Sequence, residues 1–141
     1  MAGVGDTMNL EETKQLAREF FACFSANDLA GALALLADDA TWWIAGVPEL
    51  LPAAGLRTKE QITRLLQNMT SELPNGLRMT VKSLVAEGDN VAAEVESYGE
   101  LRNGRVYNQH YHFALTIRDG KINAVREYLD SQHVFATWFQ R

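Results

Sequence analysis

The chain has 141 residues, with 13 Lys and Arg against 18 Asp and Glu and a formal net charge of −5. A single domain of that length buries roughly 68–70% of the surface its unfolded form exposes, so it needs no covalent or metal staple, and the lone Cys23 excludes an intramolecular disulfide and a cysteine metal cluster. The acidic balance argues against nucleic acid and anionic membranes as partners, and the longest apolar run, Leu29 to Ala37 (counting Gly31), is too short to span a bilayer.

Residues 1–9 are mostly small and polar and are expected to form a disordered N-terminal segment, leaving residues 10–141 as one domain. No charged-then-apolar leader opens the chain, which predicts a cytoplasmic location. Leu16, Phe20, Phe21 and Phe24 then recur at helical spacing, with Lys14, Arg18 and Glu19 between them, and Asn27-Asp28 ends this first helix. A second helix, about Leu29 to Leu36, is apolar nearly all round and so is expected to be buried. Ala40 to Ile44 reads as a strand from its Thr, Trp and Ile content. Val47 to Gly55, with Pro48 and Pro52, reads as an irregular loop. Thr58-Lys59-Glu60-Gln61 is a capping box opening a third helix, whose apolar stripe is Ile62, Leu65, Leu66 and Met69.

Past Pro74-Asn75-Gly76 the chain is predicted to be strand. Leu77 to Glu87, Val91 to Arg102, Arg105 to Arg118 and Lys121 to Asp130 are separated by turn signals at Gly88-Asp89-Asn90, Asn103-Gly104 and Asp119-Gly120. The amphipathic tail from Ser131 to Phe139 is expected to pack back on them. Helices first and an antiparallel meander second is the α+β pattern.

A two-residue loop at Asn103-Gly104 pairs Arg102 with Arg105 and places Glu94, Glu96, Tyr98, Gln109, Tyr111 and Phe113 on one face. His110 and His112 then fall on the other. The Asp119-Gly120 turn allows two registers. A two-residue loop brings Arg126 and Tyr128 to the first face, and a three-residue loop brings Val125, Glu127 and Leu129 there instead.

The chain resembles the nuclear transport factor 2-like superfamily, in its SnoaL-like and ketosteroid-isomerase-like branch. The resemblance is carried by Phe20-Phe21, by Leu36-Ala37-Asp38-Asp39-Ala40-Thr41-Trp42, by Gly55-Leu56, and by Gly120-Lys121-Ile122 with Arg126-Glu127-Tyr128-Leu129-Asp130. It implies a cone: a curved antiparallel sheet covered by three N-terminal helices, with a ligand pocket on its concave side, commonly in a homodimer. It also favours the three-residue turn, which puts an acid, Glu127, in the pocket. The Tyr and the two Asp that serve ketosteroid isomerases correspond here to Phe20, Ile44 and Phe113, so that mechanism is not carried over. The set used by limonene-epoxide-hydrolase-like members corresponds to Glu96, Glu94, Glu127, Trp42 and Ile44, an altered acid set.

Glu127 and Glu96 are therefore the candidate catalytic pair, sharing a proton in an apolar cavity. Phe20, Trp42, Ile44, Glu94, Tyr98, Gln109, Tyr111, Phe113 and Leu129 are the candidate substrate-binding residues. No glycine-rich phosphate loop, nucleophile elbow or nucleotide fingerprint is present, which points to cofactor-free and metal-free chemistry. The expected function is a lyase, isomerase or cyclase moving a proton on a small apolar carbonyl or ring compound. A non-catalytic binding protein for such a ligand and an epoxide-hydrolase-like enzyme are the alternatives. Val95, Asn108, His110, His112 and Tyr128 are the expected convex dimer surface.

Overall fold

The computed structural model describes residues 8–141, so residues 1–7 of the expected disordered segment lie outside it. Residues 8 and 9 do not belong to such a segment. Met8 packs partly buried against the core, and Asn9 caps helix α1 (Leu10–Ser25). The Asn9 side chain accepts from the Glu12 backbone N–H at 2.8 Å, and Glu12 Oε1 accepts from the Asn9 N–H at 3.0 Å. This box satisfies donors that the first helical turn leaves unpaired.

Helix α1 buries Leu16, Ala17, Phe20, Phe21 and Phe24. Helix α2 (Leu29–Ala34) buries only Ala32. Its expected burial is thus corrected, and the apolar run ends in strand because the chain is already extended at Leu36. Strand β1 (Leu36–Ile44) pairs with β2 (Gly55–Thr58). Thr58 then opens α3 (Lys59–Ser71) through the expected capping box with Gln61. Strands β3 (Arg78–Glu87), β4 (Asn90–Glu100), β5 (Val106–Tyr107), β6 (His110–Arg118) and β7 (Lys121–Leu129) follow. A short helix α4 (Ser131–Val134) and a single wide turn over Phe135–Phe139 close the chain.

The seven strands form one curved sheet in the order β2-β1-β7-β6-β4-β3, with β5 paired to β4. This is the expected α+β cone with helices at its N-terminal end. One pairing departs from an antiparallel meander: β1 lies parallel to β7, with Ile44 opposite Glu127. The strand that leaves the helices is inserted beside the last strand of the chain. Helix α1 lies across the concave face, where the Phe20 ring sits 5.8 Å from Trp42 and the Phe21 ring 5.0 Å from Phe113.

Two turns decide which side chains meet there. A type I′ loop at Asn103-Gly104 needs positive φ at both residues, but only Gly104 has it, at +87°. The loop holds three residues, with Leu101 N–H donating to the Arg105 carbonyl at 2.9 Å. The register moves by one, so Val95 opposes Tyr111, Ala93 opposes Phe113, and Glu94 and Glu96 oppose His112 and His110. Since a one-residue slip exchanges the faces of a strand, Glu94, Glu96 and Tyr98 lie on the convex side. Val95, expected on the dimer surface, is buried.

The second turn has two residues, with Asp119 at φ +54° and Gly120 at +74°. By itself it would bring Arg126 and Tyr128 inward. A bulge reverses that outcome: Ile117 opposes Ile122 but Thr116 opposes Ala124, leaving Asn123 as the extra residue. Val125, Glu127 and Leu129 consequently share the concave face with Phe113 and Tyr111.

Candidate functional site

A cavity of about 340 Å³ opens between the concave face of the sheet, α3 and the C-terminal turn. Its walls are mostly apolar: Ile44 from β1, Leu65, Leu66 and Met69 from α3, Leu129 from β7, and Val134, Trp138 and Phe139 from the tail. Arg105 holds that tail in place, its Nη1 donating to the carbonyls of Ala136, Thr137 and Gln140 at 3.0, 3.3 and 2.7 Å.

Glu127 lies at the inner end, only 9% exposed. Trp42 Nε1 donates to its Oε1 at 2.9 Å. No buried side-chain oxygen or nitrogen among the described residues lacks a partner, so Oε2, which accepts no protein hydrogen bond, is open to the cavity. Burial pushes the Glu127 carboxyl up to about 7, while the Trp42 indole N–H and the charge of Arg57 hold it from going further. Arg57, in β2, is itself fixed against the preceding loop, its guanidinium donating to the Ala53 and Pro52 carbonyls.

Two phenols share the cavity. Tyr111 OH lies 3.3 Å from both Ser97 Oγ and Tyr107 OH. Burial, together with the negative charge of Glu127, raises both phenols well above their ordinary value. They are therefore neutral donors throughout the physiological range. Tyr107 is fixed by stacking on His133, 5.5 Å between ring centres, and by the edge of Trp138. His133 Nε2 accepts from the Asn108 backbone N–H at 3.0 Å.

Of the residues expected at the site, Glu127, Ile44, Tyr111 and Leu129 line the main cavity. Phe20, Trp42 and Phe113 lie behind it, around a void of about 30 Å³ that Glu127 and Tyr111 also touch. Gln109 is fully buried but outside the lining. Its amide N–H donates to the Asp130 carbonyl at 3.0 Å, and its oxygen accepts from Asp130 N–H at 2.8 Å, joining β6 to the end of β7.

Glu94, Glu96 and Tyr98 do not reach the cavity. Glu94 accepts from Ser83 Oγ at 2.8 Å. Glu96 lies 3.2 Å from Lys82 Nζ and accepts from Asn108 Nδ2 at 3.0 Å, contacts that lower its carboxyl. The expected proton-sharing pair is therefore not formed, and Glu127 stands without Glu96. Tyr107, Trp138 and Phe139 were not among the expected site residues. Tyr107 has the alternation parity of Gln109 and Tyr111, so extending that face by two residues would have found it. The tail positions follow from no local pattern.

Among the described residues no three His, Cys, Asp or Glu side chains come together as a metal site requires. No helix is long and apolar enough to cross a membrane.

A family model described as a SnoaL-like domain matches residues 17–125. No curated protein matches the chain. Among solved structures, an NTF2-like protein from Burkholderia xenovorans LB400 superposes with a TM-score of 0.70 at 29% identity, over 92% of this chain and 98% of that one. An NTF2-like protein from Burkholderia pseudomallei K96243 gives 0.79 at 16% identity, over 94% and 100%. An LEH-like epoxide hydrolase from M. tuberculosis gives 0.72 at 19% identity, over 90% and 89%. The last two likenesses concern the fold.

Proposed function

The chain belongs to the SnoaL-like domain family of NTF2-like proteins, and on that footing we propose that it is a cofactor-independent enzyme that moves a proton on a small, largely apolar carbonyl ring compound. One observation carries the reading. Glu127 is a buried carboxylate with one oxygen held by Trp42 and the other open to an apolar cavity. Burial pushes its carboxyl up to about 7, which puts both protonation states within reach at neutral pH, where a general base works best.

In this reading ionised Glu127 removes a proton from the carbon beside the carbonyl. The C–H electron pair passes into an enolate, and the proton is held on the carboxyl and returned to carbon. The neutral phenol of Tyr107, which accepts from Tyr111 OH and keeps its own hydrogen, is the donor available to the developing oxyanion, in a site that excludes most water. Partnership with Glu96 is not part of this proposal. An epoxide-hydrolase-like reaction through Glu94, Glu96 and Glu127 is disfavoured because the first two lie on the opposite face of the sheet. A binding role without turnover is the second reading, favoured by the absence of Glu96 beside Glu127. The lone thiol of Cys23 suits a cytoplasmic location. The convex face, with exposed Tyr98 and Tyr128 among charges of both signs, suits a homodimer.

The test is deuterium exchange into 2-tetralone in D₂O, followed by proton NMR. The wild-type protein is expected to accelerate loss of the protons beside the carbonyl, and Glu127→Gln is expected to remove the acceleration. Binding without exchange would establish the second reading, and equal exchange by the variant would exclude Glu127 as the base.

A further inference from the structure

Charge at the cavity is one-sided. Its polar lining is Glu127 at the inner end, Tyr107 and Tyr111 beside it, and Asn68 and Glu72 at the mouth, with no Lys, Arg or His among the lining side chains. Asn68 and Glu72 lie one helical turn apart at the end of α3, both exposed, and neither side chain has a hydrogen-bond or ion-pair partner among the described residues. Glu72 occupies the C-cap of α3, the end of a helix where a negative side chain is disfavoured by the backbone dipole. Arg102 comes to the same helix end, its Nε donating to the Ser71 carbonyl at 2.7 Å and its backbone N–H to the Glu72 carbonyl at 2.9 Å, but no ion pair joins its guanidinium to the Glu72 carboxylate. An exposed carboxylate set against the helix dipole at the mouth of a cavity is free to meet a ligand's cation.

We propose that the cavity selects small ring compounds that are uncharged or carry an amine, with Glu72 receiving the amine at the mouth, and rejects carboxylates and phosphates. This rests on the reading of the cavity as a substrate site, but binding alone tests it. An anion drawn into the apolar lining would lose its hydration with no cationic side chain in the lining to replace it, since the nearby Arg57 is engaged by the Ala53 and Pro52 carbonyls, and it would face Glu127. An ammonium at the mouth keeps part of its water while its ring fills the interior. A volume of about 340 Å³ is near the small end of ligand sites, roughly 300–1,000 Å³. A one- or two-ring body is the size that fits.

The experiment compares 1-naphthylmethanol, 1-naphthylmethylamine and 1-naphthoate by isothermal titration at pH 7.5. The Trp138 indole resonance reports that binding is in the cavity. Naphthoate is expected to bind at least about tenfold more weakly than the alcohol, given an uncompensated like charge in a buried site. The amine is expected to bind about two- to fivefold more tightly than the alcohol, the range for a solvent-exposed ion pair. Glu72→Gln, an exposed and conservative change, should bring the ratio of amine to alcohol affinity down to about one. Naphthoate binding as well as the alcohol, an amine preference that survives Glu72→Gln, or no binding by any of the three would each overturn the proposal. Failure of the exchange reaction with these affinities intact would instead remove the enzymatic reading alone.

Discussion

At the scale of single residues, Glu127 carries a cost that the fold does not relieve. Its carboxyl is raised to about 7 from an ordinary 4.5, so the folded chain binds more protons than the unfolded one between those values. Stability therefore falls as pH rises through about 4.5 to 7 and levels off above. A change of that size corresponds to about 3 kcal/mol. Glu127→Gln keeps an acceptor for Trp42 Nε1 and removes the charge. It is expected to stabilise the protein by up to about 3 kcal/mol at pH 8 and hardly at all at pH 4.5. Urea melts at the two pH values check this, and a variant no more stable than wild type at pH 8 would contradict it. The alternation of β7 left open which face Glu127 takes; the family resemblance favoured the inward one, but through a three-residue turn. The structure reaches the same face by a two-residue turn and a bulge at Asn123. Asp-Gly suits either turn, and nothing in Asn123 itself marks the bulge.

At the scale of elements, the α3 cap was readable because a capping box is a local four-residue pattern. The capping box of α1, Asn9 with Glu12, follows the same pattern with Asn in place of Thr. The β4–β6 hairpin was misread because Asn-Gly signals a positive-φ turn without saying whether Asn takes part. That single residue moved Glu94 and Glu96 out of the site. The C-terminal tail is different in kind, since Arg105, a side chain from a distant loop, anchors it alongside the contacts of Tyr107 with His133 and Trp138. Replacing Arg105 with Ala removes three charge-assisted hydrogen bonds to the carbonyls of Ala136, Thr137 and Gln140. Because that guanidinium is partly solvated, global stability should fall by only about 1–2 kcal/mol. Amide exchange over Phe135–Phe139 should nonetheless rise and 1-naphthylmethanol should bind more weakly, since Trp138 and Phe139 form a wall of the cavity. Unchanged exchange in that segment would show that other contacts hold it.

At the scale of the whole molecule, the order of helices before strands made the fold class legible, and family motifs made the cone legible. The parallel β1–β7 contact was not, because a pairing between distant strands leaves no local mark in either. The same topology turns two unlike faces outward and inward. The convex face carries Tyr98 and Tyr128, 40% and 45% exposed, with Trp43 packed 5.3 Å from Tyr128 and His110 and His112 opposite Glu96 and Glu94. Aromatic side chains among charges of both signs can complement a second copy about a two-fold axis. Sedimentation at micromolar concentration is expected to give a dimer, and Tyr128→Arg to give a folded monomer that still binds 1-naphthylmethanol. A monomeric wild-type protein would remove the interface.

The proposed chemistry depends on one carboxyl, Glu127, buried beside Trp42 and open to the cavity, holding or releasing its proton near neutral pH. Carbon-13 NMR of protein labelled at the glutamate carboxyls, titrated from acid to alkaline pH alongside Glu127→Gln, tests it directly. One resonance should titrate with a midpoint near 7 and be missing from the variant. If every glutamate carboxyl titrates in the ordinary range, near 4.5, Glu127 is not the proton-holding group of the cavity.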